Sequence, residues 1–531
     1  MKFKDLTQEQ VEIARIIYHD KTLQWDDRMN LLKDFFGKSE RTVRIWCSEK
    51  LKFKDKEEAE PEQYLKAKTR KHNKDKKRFI ITWGQSDTSV HTQFLANMEA
   101  FAEFINADIH VIAGRYKNPT SLSASEHVKK TEEWDSLLLP YLDANRHNIH
   151  KYVSIMSDIK IQPTAVNPMS GLQGVSGVNS CVFGAPKVQF EMIPILMGNK
   201  PKAMLTTGAV TRMNYTDSKS GKKGEFHHTY GFVIIEIEDG EVFHFRQVTA
   251  DDRTGTFNDL YYHVENGVVS LNKSIEAIIL GDVHYGDHEE MVLENTHKLL
   301  KKLVPNNVVL HDIFNGTSIN HHEEKDPFIQ YEKEVHGTND LKKEINYMLE
   351  RLTDFEKYKK VVIVRSNHDD FIDRWLKNGD WKKQPTAKNS EMYMELSSML
   401  LRQHREKDVR GVIPEIIKNN FKNFVTLRLN ESYKVKNWEL GHHGDRGTNG
   451  SRGSLIQFRT LNSKVIVGHY HTPGRKDGAL SVGTSTKLRL SYNDGASSWF
   501  NSHVIIHNDG RAQHINFVFD KNGEMSFTTF K

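Results

Sequence analysis

The sequence predicts a layered α/β protein, built from two related segments behind a small helical unit. Three observations predict it. Short β-branched runs alternate with amphipathic stretches from Phe79 onward, the pattern of sheets covered by helices. The two long segments parallel each other in order and in detail. The first fifty residues carry helix signals alone.

The helical unit comes first. Thr7 is placed to cap a helix over residues 8–19, with Val11, Ile13, Ala14, Ile16 and Ile17 as its apolar face. A second helix is expected over residues 25–36, closed by Gly37. Ser39 should cap a third, over residues 41–51, with Val43 and Trp46 inward and Arg41, Arg44 and Lys50 outward. This outline, ending in a basic helix, is that of a helix-turn-helix, which would set Arg41 and Arg44 against DNA. Three-helix units of this size also serve as plain interaction modules.

Residues 52–78 read as a charged linker. From Lys66 to Arg78 there are eight Lys or Arg against one acid, Asp75. Such a run is either a solvated linker or a segment that touches nucleic-acid phosphates. Residues 79–272 open with the strand-like Phe79-Ile-Ile-Thr-Trp83, followed by a helix over residues 92–105 and a strand over residues 109–113. Residues 273–531 repeat the alternation through residues 275–280, 308–310, 361–364 and 465–467. Leu205-Thr-Thr-Gly-Ala-Val-Thr211 parallels Leu480-Ser-Val-Gly-Thr-Ser-Thr486, and a hairpin pattern follows each, turning at Asp239-Gly240 and Asp509-Gly510. The parallel points to an internal duplication; chance likeness of two β-rich stretches is the alternative.

Composition bounds the function. With 37% apolar residues and no run of eighteen, nothing is expected to span a membrane. The first residues lack the apolar core of a signal peptide. Cys47 and Cys181 form no metal-binding pair and no disulfide framework, so a reducing cytoplasm is expected. The net charge of +5 selects no partner.

Chemistry concentrates at strand ends in the later segment, where open α/β sheets assemble sites. Gly281-Asp282-Val-His284, His311-Asp312, Ser366-Asn367-His368-Asp369, Gly441-His-His443-Gly-Asp445 and Gly468-His469-Tyr-His471 each follow an apolar run. One strand-end Asp or His is usually a cap; five in succession argue for a site. Imidazole and carboxylate without thiolate suit divalent manganese, iron or zinc. A shared carboxylate can hold two ions about 3.5–4 Å apart, whose bridging hydroxide is a nucleophile near neutral pH.

These five segments resemble the ordered motifs of the calcineurin-like metallophosphoesterases, over about residues 275–490. The resemblance implies a β-sandwich flanked by helices. It implies one metal held by Asp282, His284, Asp312 and His471, and a second by Asp312, Asn367, His443 and His469. His368 would contact the scissile phosphate and protonate the leaving oxygen, and Asp369 would orient it. The sequence departs from the family at His311 and Ser366, where glycines are usual. Two histidines stand in the fourth motif, and the His-Gly order favours His443 over His442. Residues 79–272 have Gln85-Ser86-Asp87 and Met156-Ser157-Asp158 where ligands would fall, implying a companion without the chemistry. His91, His227 and His228 read there as hydrogen-bonded or surface residues.

The metals do not name the substrate. The helical unit, the basic run and the loop from Asp445 to Gly453, whose Arg446 and Arg452 would reach neighbouring phosphates, lean toward DNA. That loop is otherwise a plain flexible one. The layout resembles the SbcD-like nuclease branch and the early host-DNA-degrading DNases of T-five-like phages. This implies a manganese-dependent DNase (magnesium, iron or zinc being alternatives) in the infected cell's cytoplasm, self-associating as such relatives do. The rival readings are a phosphoprotein or nucleotide phosphatase with the same metals, and a DNA-binding regulator whose phosphoesterase domain recruits partners. The intact ligand set weighs against the regulator.

Overall fold

Thr7 opens the first helix, Gln8–His19, through a capping box with Gln10. The second helix is Trp25–Phe36, and Gly37 follows it at φ +60°. These come from a computed structural model that describes residues 3–20, 23, 25–51, 53, 64–65, 76–116, 133–272, 274–384 and 386–528. The basic run up to residue 75, and most of the expected linker, lie outside them. The chain forms two compact units, Met1–Tyr64 and Leu65–Lys531.

Two expectations for the first unit need correcting. Ile13 and Ile16 are exposed; the inward face of the first helix is Val11, Ala14, Ile17 and Tyr18. The i, i+3, i+7 spacing selects one stripe, and Ile13 and Ile16 fall beside it. The third helix spans only Glu40–Ile45, capped by Ser39, and widens into a π turn at Trp46–Lys50. There Leu51 N–H reaches back five residues to the Trp46 carbonyl, at 2.8 Å. Val43 and Trp46 are buried as expected.

In the second unit, β-branched runs become strands buried on both faces. Asn307–His311 lies between parallel neighbours Ala277–Ile279 and Val361–Val364. Its Val308 and Leu310 enter a core shared with helices, while Val309 enters another core with Ile466, Leu480 and Val482 of a second sheet. Burying each such side chain contributes roughly 1.5–3 kcal/mol. Residues 79–83 do the same: Ile80 joins the core beneath helix Thr92–Phe104, and Phe79, Ile81 and Trp83 face Val153, Val182 and Leu205.

The layers have a common plan. One sheet runs Phe243–Thr249, Gly231–Ile237, Arg78–Gln85, Ala107–Gly114, Leu142–Asp143. Another runs Ala512–Phe519, Ser502–Ile506, Ala277–Ile279, Asn307–His311, Val361–Val364, extended at its two edges by Met525–Phe527 and Phe424–Thr426. Corresponding neighbours are parallel or antiparallel alike. A ten-stranded sheet draws five strands from each side of residue 272. They meet edge to edge where Gln189–Ile193 pairs antiparallel with Gly474–Lys476, Phe190 opposite Arg475. The strand order outward from this pair is the same in both directions.

The molecule is mixed α/β. Among the described residues no helix is long and apolar enough to cross a membrane. Cys47 and Cys181 are buried and unbridged.

Candidate metal centre

Three parallel strands, Ala277–Ile279, Asn307–His311 and Val361–Val364, end on one edge of their sheet. Lys464–Val467 of the ten-stranded sheet contributes the loop from Gly468 to His471. Side chains from these ends converge. His284 Nε2 lies 3.3 Å from Asp312 Oδ2, and His443 Nε2 lies 3.1 Å from the same oxygen. His471 Nε2 is 3.4 Å from Asp282 Oδ2 and 3.1 Å from His284 Nε2. His469 Nδ1 lies 3.1 Å from Asn367 Oδ1, and its backbone N–H donates to Asp282 Oδ2 at 2.7 Å. All seven expected ligands are thus drawn into one cluster around Asp282 and Asp312.

The backbone is bent to place them. His284, Asp312, His469 and His471 all have positive φ, from 46° to 74°. Left-handed backbone costs a non-glycine residue on the order of 1 kcal/mol, and such strain collects at functional sites. His503 steadies the first loop: Gly281 N–H donates to its Nδ1 at 3.0 Å, while its Nε2 lies 2.7 Å from Thr296 Oγ1. Thr296 in turn donates to the Val292 carbonyl, so His503 carries its proton on Nε2.

The donor set fits divalent cations. Asp282 Oδ1, Asp312 Oδ1, His284 Nδ1, His443 Nε2 and His471 Nδ1 are buried without a hydrogen-bond partner among the described residues. Buried polar atoms are nearly always satisfied, and unpartnered carboxylate oxygens on Asp282 and Asp312, with imidazole nitrogens 3.1–3.4 Å from those two residues, are a donor set that a divalent cation would satisfy. Three ligand groups lie within coordination reach: Asp282, Asp312 and His471; His284, Asp312 and His368; and Asp282, His311 and His443.

Electrostatics reflect this crowding. Burial pushes Asp282 up to about 7, and burial with the nearby Asp312 pushes Asp369 to about 7. Burial would also raise Asp312, yet His443, His368 and His284 hold it well below the usual range. Burial opposes charge on His443, but Asp312 lifts it to about 9. Burial brings His368 and His469 down to about 4.

Two expected roles shift. His368 Nδ1 lies 2.7 Å from the Asn315 carbonyl, which can only accept, so the ring holds its proton on Nδ1 and keeps Nε2 bare. Asp369 does not orient it: its carboxylate accepts from Ser366 N–H at 3.0 Å, and its own N–H donates to Ser366 Oγ at 3.2 Å. At the start of helix Asp369–Asn378 one oxygen of this carboxylate, Oδ2, is taken up locally, and the group that holds His368 is the Asn315 carbonyl. His311 is more than a departure from pattern. It is fully buried, its Nδ1 3.4 Å from His443 Nδ1. Its position before Asp312, next to a ligand, was the signal available in the sequence. His442, by contrast, is outside the cluster.

No family model matches the chain. Protein A1 of Escherichia phage T5 is 31% identical over 471 residues, spanning 85% of this chain and 83% of that protein. The chain belongs to the phage T5 Protein A1 family. Its phage origin is supported by the same similarity. A solved structure, Vps29 of Chaetomium thermophilum, shares 12% identity over 36% of this chain and 94% of that one, with a TM-score of 0.19.

In this A1-family chain the cluster floors a cleft of about 770 Å³. Arg452 and Lys476 line it, as do Trp499, which lies 4.1 Å from His471 ring to ring, and Phe190 and Met192 from the other side of residue 272. Arg446 is not in the cleft; it pairs with Asp370 at 2.9 Å. The loop bearing both arginines is closed by Gly447 N–H to Ser451 O and Gly453 N–H to Asp445 O, at 2.7 and 2.9 Å. Arg41 and Arg44 are exposed on the third helix of the first unit, and Arg44 is bound to Glu40 at 2.6 Å.

The earlier half of the A1-family chain shows none of these groups among its described residues. His91 caps helix Thr92–Phe104 by accepting from Phe94 N–H, and His228 bonds Tyr215 and the Thr211 carbonyl.

Proposed function

We propose that the chain is a metal-dependent phosphodiesterase acting on DNA, with a calcineurin-like domain over residues 273–531. Residues 79–272 are its companion without ligands, and residues 1–51 a DNA-contacting unit. The observation that carries this reading is the convergence of His284, His443 and His471 on Asp282 and Asp312, each of these carboxylates keeping a buried oxygen without a partner, beneath a cleft that Arg452 lines.

Asp282, His284, Asp312 and His471 would hold one divalent ion, and Asp312, Asn367, His443 and His469 the other, manganese being the first candidate. When bound, the pair supplies Lewis acidity toward phosphoryl oxygens and lowers the pKa of water. The protein's own groups do the rest. Arg452 would bind a phosphate oxygen beside the reacting one, in the bidentate manner of guanidinium. His368, fixed through Nδ1 by Asn315, offers Nε2 to the substrate. To donate a proton there the ring must first be charged. An arriving phosphate anion favours that form. Trp499 and Met192 wall the cleft over the cluster.

The similarity to a phage protein supports a site of action in the infected host's cytoplasm. Self-association has an available surface in Phe328, Tyr331 and Val335, three exposed apolar residues on one face of helix Pro327–His336.

The deciding experiment incubates purified protein with manganese and plasmid DNA. Wild type should degrade the plasmid and Asp312→Ala should not. Hydrolysis of a small phosphomonoester with DNA left intact would instead identify a phosphatase.

A further inference from the structure

The strand pair Gln189–Ile193 and Gly474–Lys476 borders a second cleft, of about 710 Å³. Thr472 and Pro473, which precede one strand, line the metal cleft, whereas Lys187 and Val188, which precede the other, line this one. The second cleft thus adjoins the same strand pair as the first, and residues from both sides of position 272 line it. Its lining is rich in positive charge. Lys187, Lys223, Arg459, Lys464, Arg475 and Arg511 line it, against one carboxylate, Asp477.

That carboxylate is already engaged. Lys187 Nζ lies 2.8 Å from Asp477 Oδ1, and Gln189 Nε2 donates to the same oxygen at 3.4 Å. Arg511 is neutralised by Asp509 and Asp251, at 2.9 and 3.2 Å. Among the described residues no carboxylate pairs with Lys223, Arg459, Lys464 or Arg475. Arg459 donates to a side-chain amide, that of Asn167 at 3.0 Å, and Lys464 lies over the Trp438 ring. Arg475 is the sharpest case. Its Nε is buried with no acceptor, although it sits at the centre of the joined sheet opposite Phe190. A guanidinium N–H so placed lacks the partner that buried donors almost always have.

We propose that this cleft binds phosphate groups of a DNA strand, at a site separate from the metal centre. Arg475 would supply a planar fork to one phosphate, and Lys464, Lys223 and Arg459 would neutralise its neighbours. The volume exceeds what a single ion fills, and the cations are spread around the cleft as a polyanion requires. Binding here involves no hydrolysis; the choice of DNA as the polyanion rests on the proposed substrate, whereas the cation cluster stands apart from the metal site.

The test measures binding of a fluorescent single-stranded oligonucleotide to the full chain by anisotropy, in EDTA, across a salt series. Arg475→Ala should weaken binding about tenfold and lower the salt slope by about one for each phosphate it no longer neutralises. Lys464→Ala and Lys223→Ala, both at exposed positions, should each lower the slope as well. They keep the test decisive should Arg475→Ala fail to fold. Pyrophosphate should compete with the oligonucleotide in wild type and lose that ability in Arg475→Ala. Unchanged affinity and slope in all three variants would overturn the proposal. So would pyrophosphate binding that leaves the oligonucleotide in place, since the ligand would then be a free phosphate compound. Plasmid cleavage with manganese, assayed separately, reports on the metal centre alone.

Discussion

A Cβ on Gly468 would stand 2.3 Å from Oδ1 of Asp282, and 3.1 Å from Nδ1 of His443. The loop carrying His469 and His471 thus passes so close to the first ligand that only glycine leaves room. Gly468→Ala should shift Asp282 or the loop and lower metal affinity by roughly 10–100-fold, as disturbed ligand support does. Calorimetric titration with manganese measures this; wild-type affinity would show that the loop yields freely.

His311→Phe keeps the bulk of a buried ring but removes the nitrogen facing His443. Since His443 must present Nε2 to the cluster, loss of its neighbour should also cost about 10–100-fold in metal affinity while the unfolding midpoint moves little. An unchanged affinity would reduce His311 to packing.

His368→Ala should retain metal and lose turnover by roughly 10²–10⁴, the contribution of a positioned acid or base. Because His368 also lies within coordination reach of His284 and Asp312, elemental analysis of the variant is the direct check. Loss of an ion would make it a ligand.

Acid should unfold the metal half through His503. Burial holds its folded value near 3, below the ordinary 6.5, because a proton on Nδ1 would confront the Gly281 N–H. Between those values the unfolded chain binds the proton and the folded chain does not, so stability rises with pH by about 1.4 kcal/mol per unit from this group. It is lost as pH falls from about 6.5 toward 3. Denaturant midpoints from pH 4 to 7.5 should therefore vary less steeply in His503→Gln; identical slopes would remove His503 from the account.

Much of this was readable in the residues because strand ends punctuate the sequence. Val361–Val364 has the expected bounds, and the five polar segments after apolar runs converge. Apolar alternation and glycine placement are local signals, so they survive without coordinates. The role given to Asp369 was not readable, because whether it bonds its neighbour His368 or Ser366 depends on helix-start geometry rather than on order. Asn315 was invisible for a related reason: its contribution is a backbone carbonyl, which every residue possesses. The exposure of Ile13 and Ile16 depended on which of two adjacent stripes meets the other helices. The basic cleft was hidden furthest, for Lys187, Lys223, Lys464 and Arg475 are scattered over nearly three hundred positions and only the joined sheet assembles them.

The pairing of Gln189–Ile193 with Gly474–Lys476 also bears on dilution. Were the two halves separate chains, the wall that Phe190 and Met192 give the metal cleft would vanish at low concentration. Here the join is within one molecule, so each copy carries its own completed cleft once both halves have folded, however few copies the cell contains.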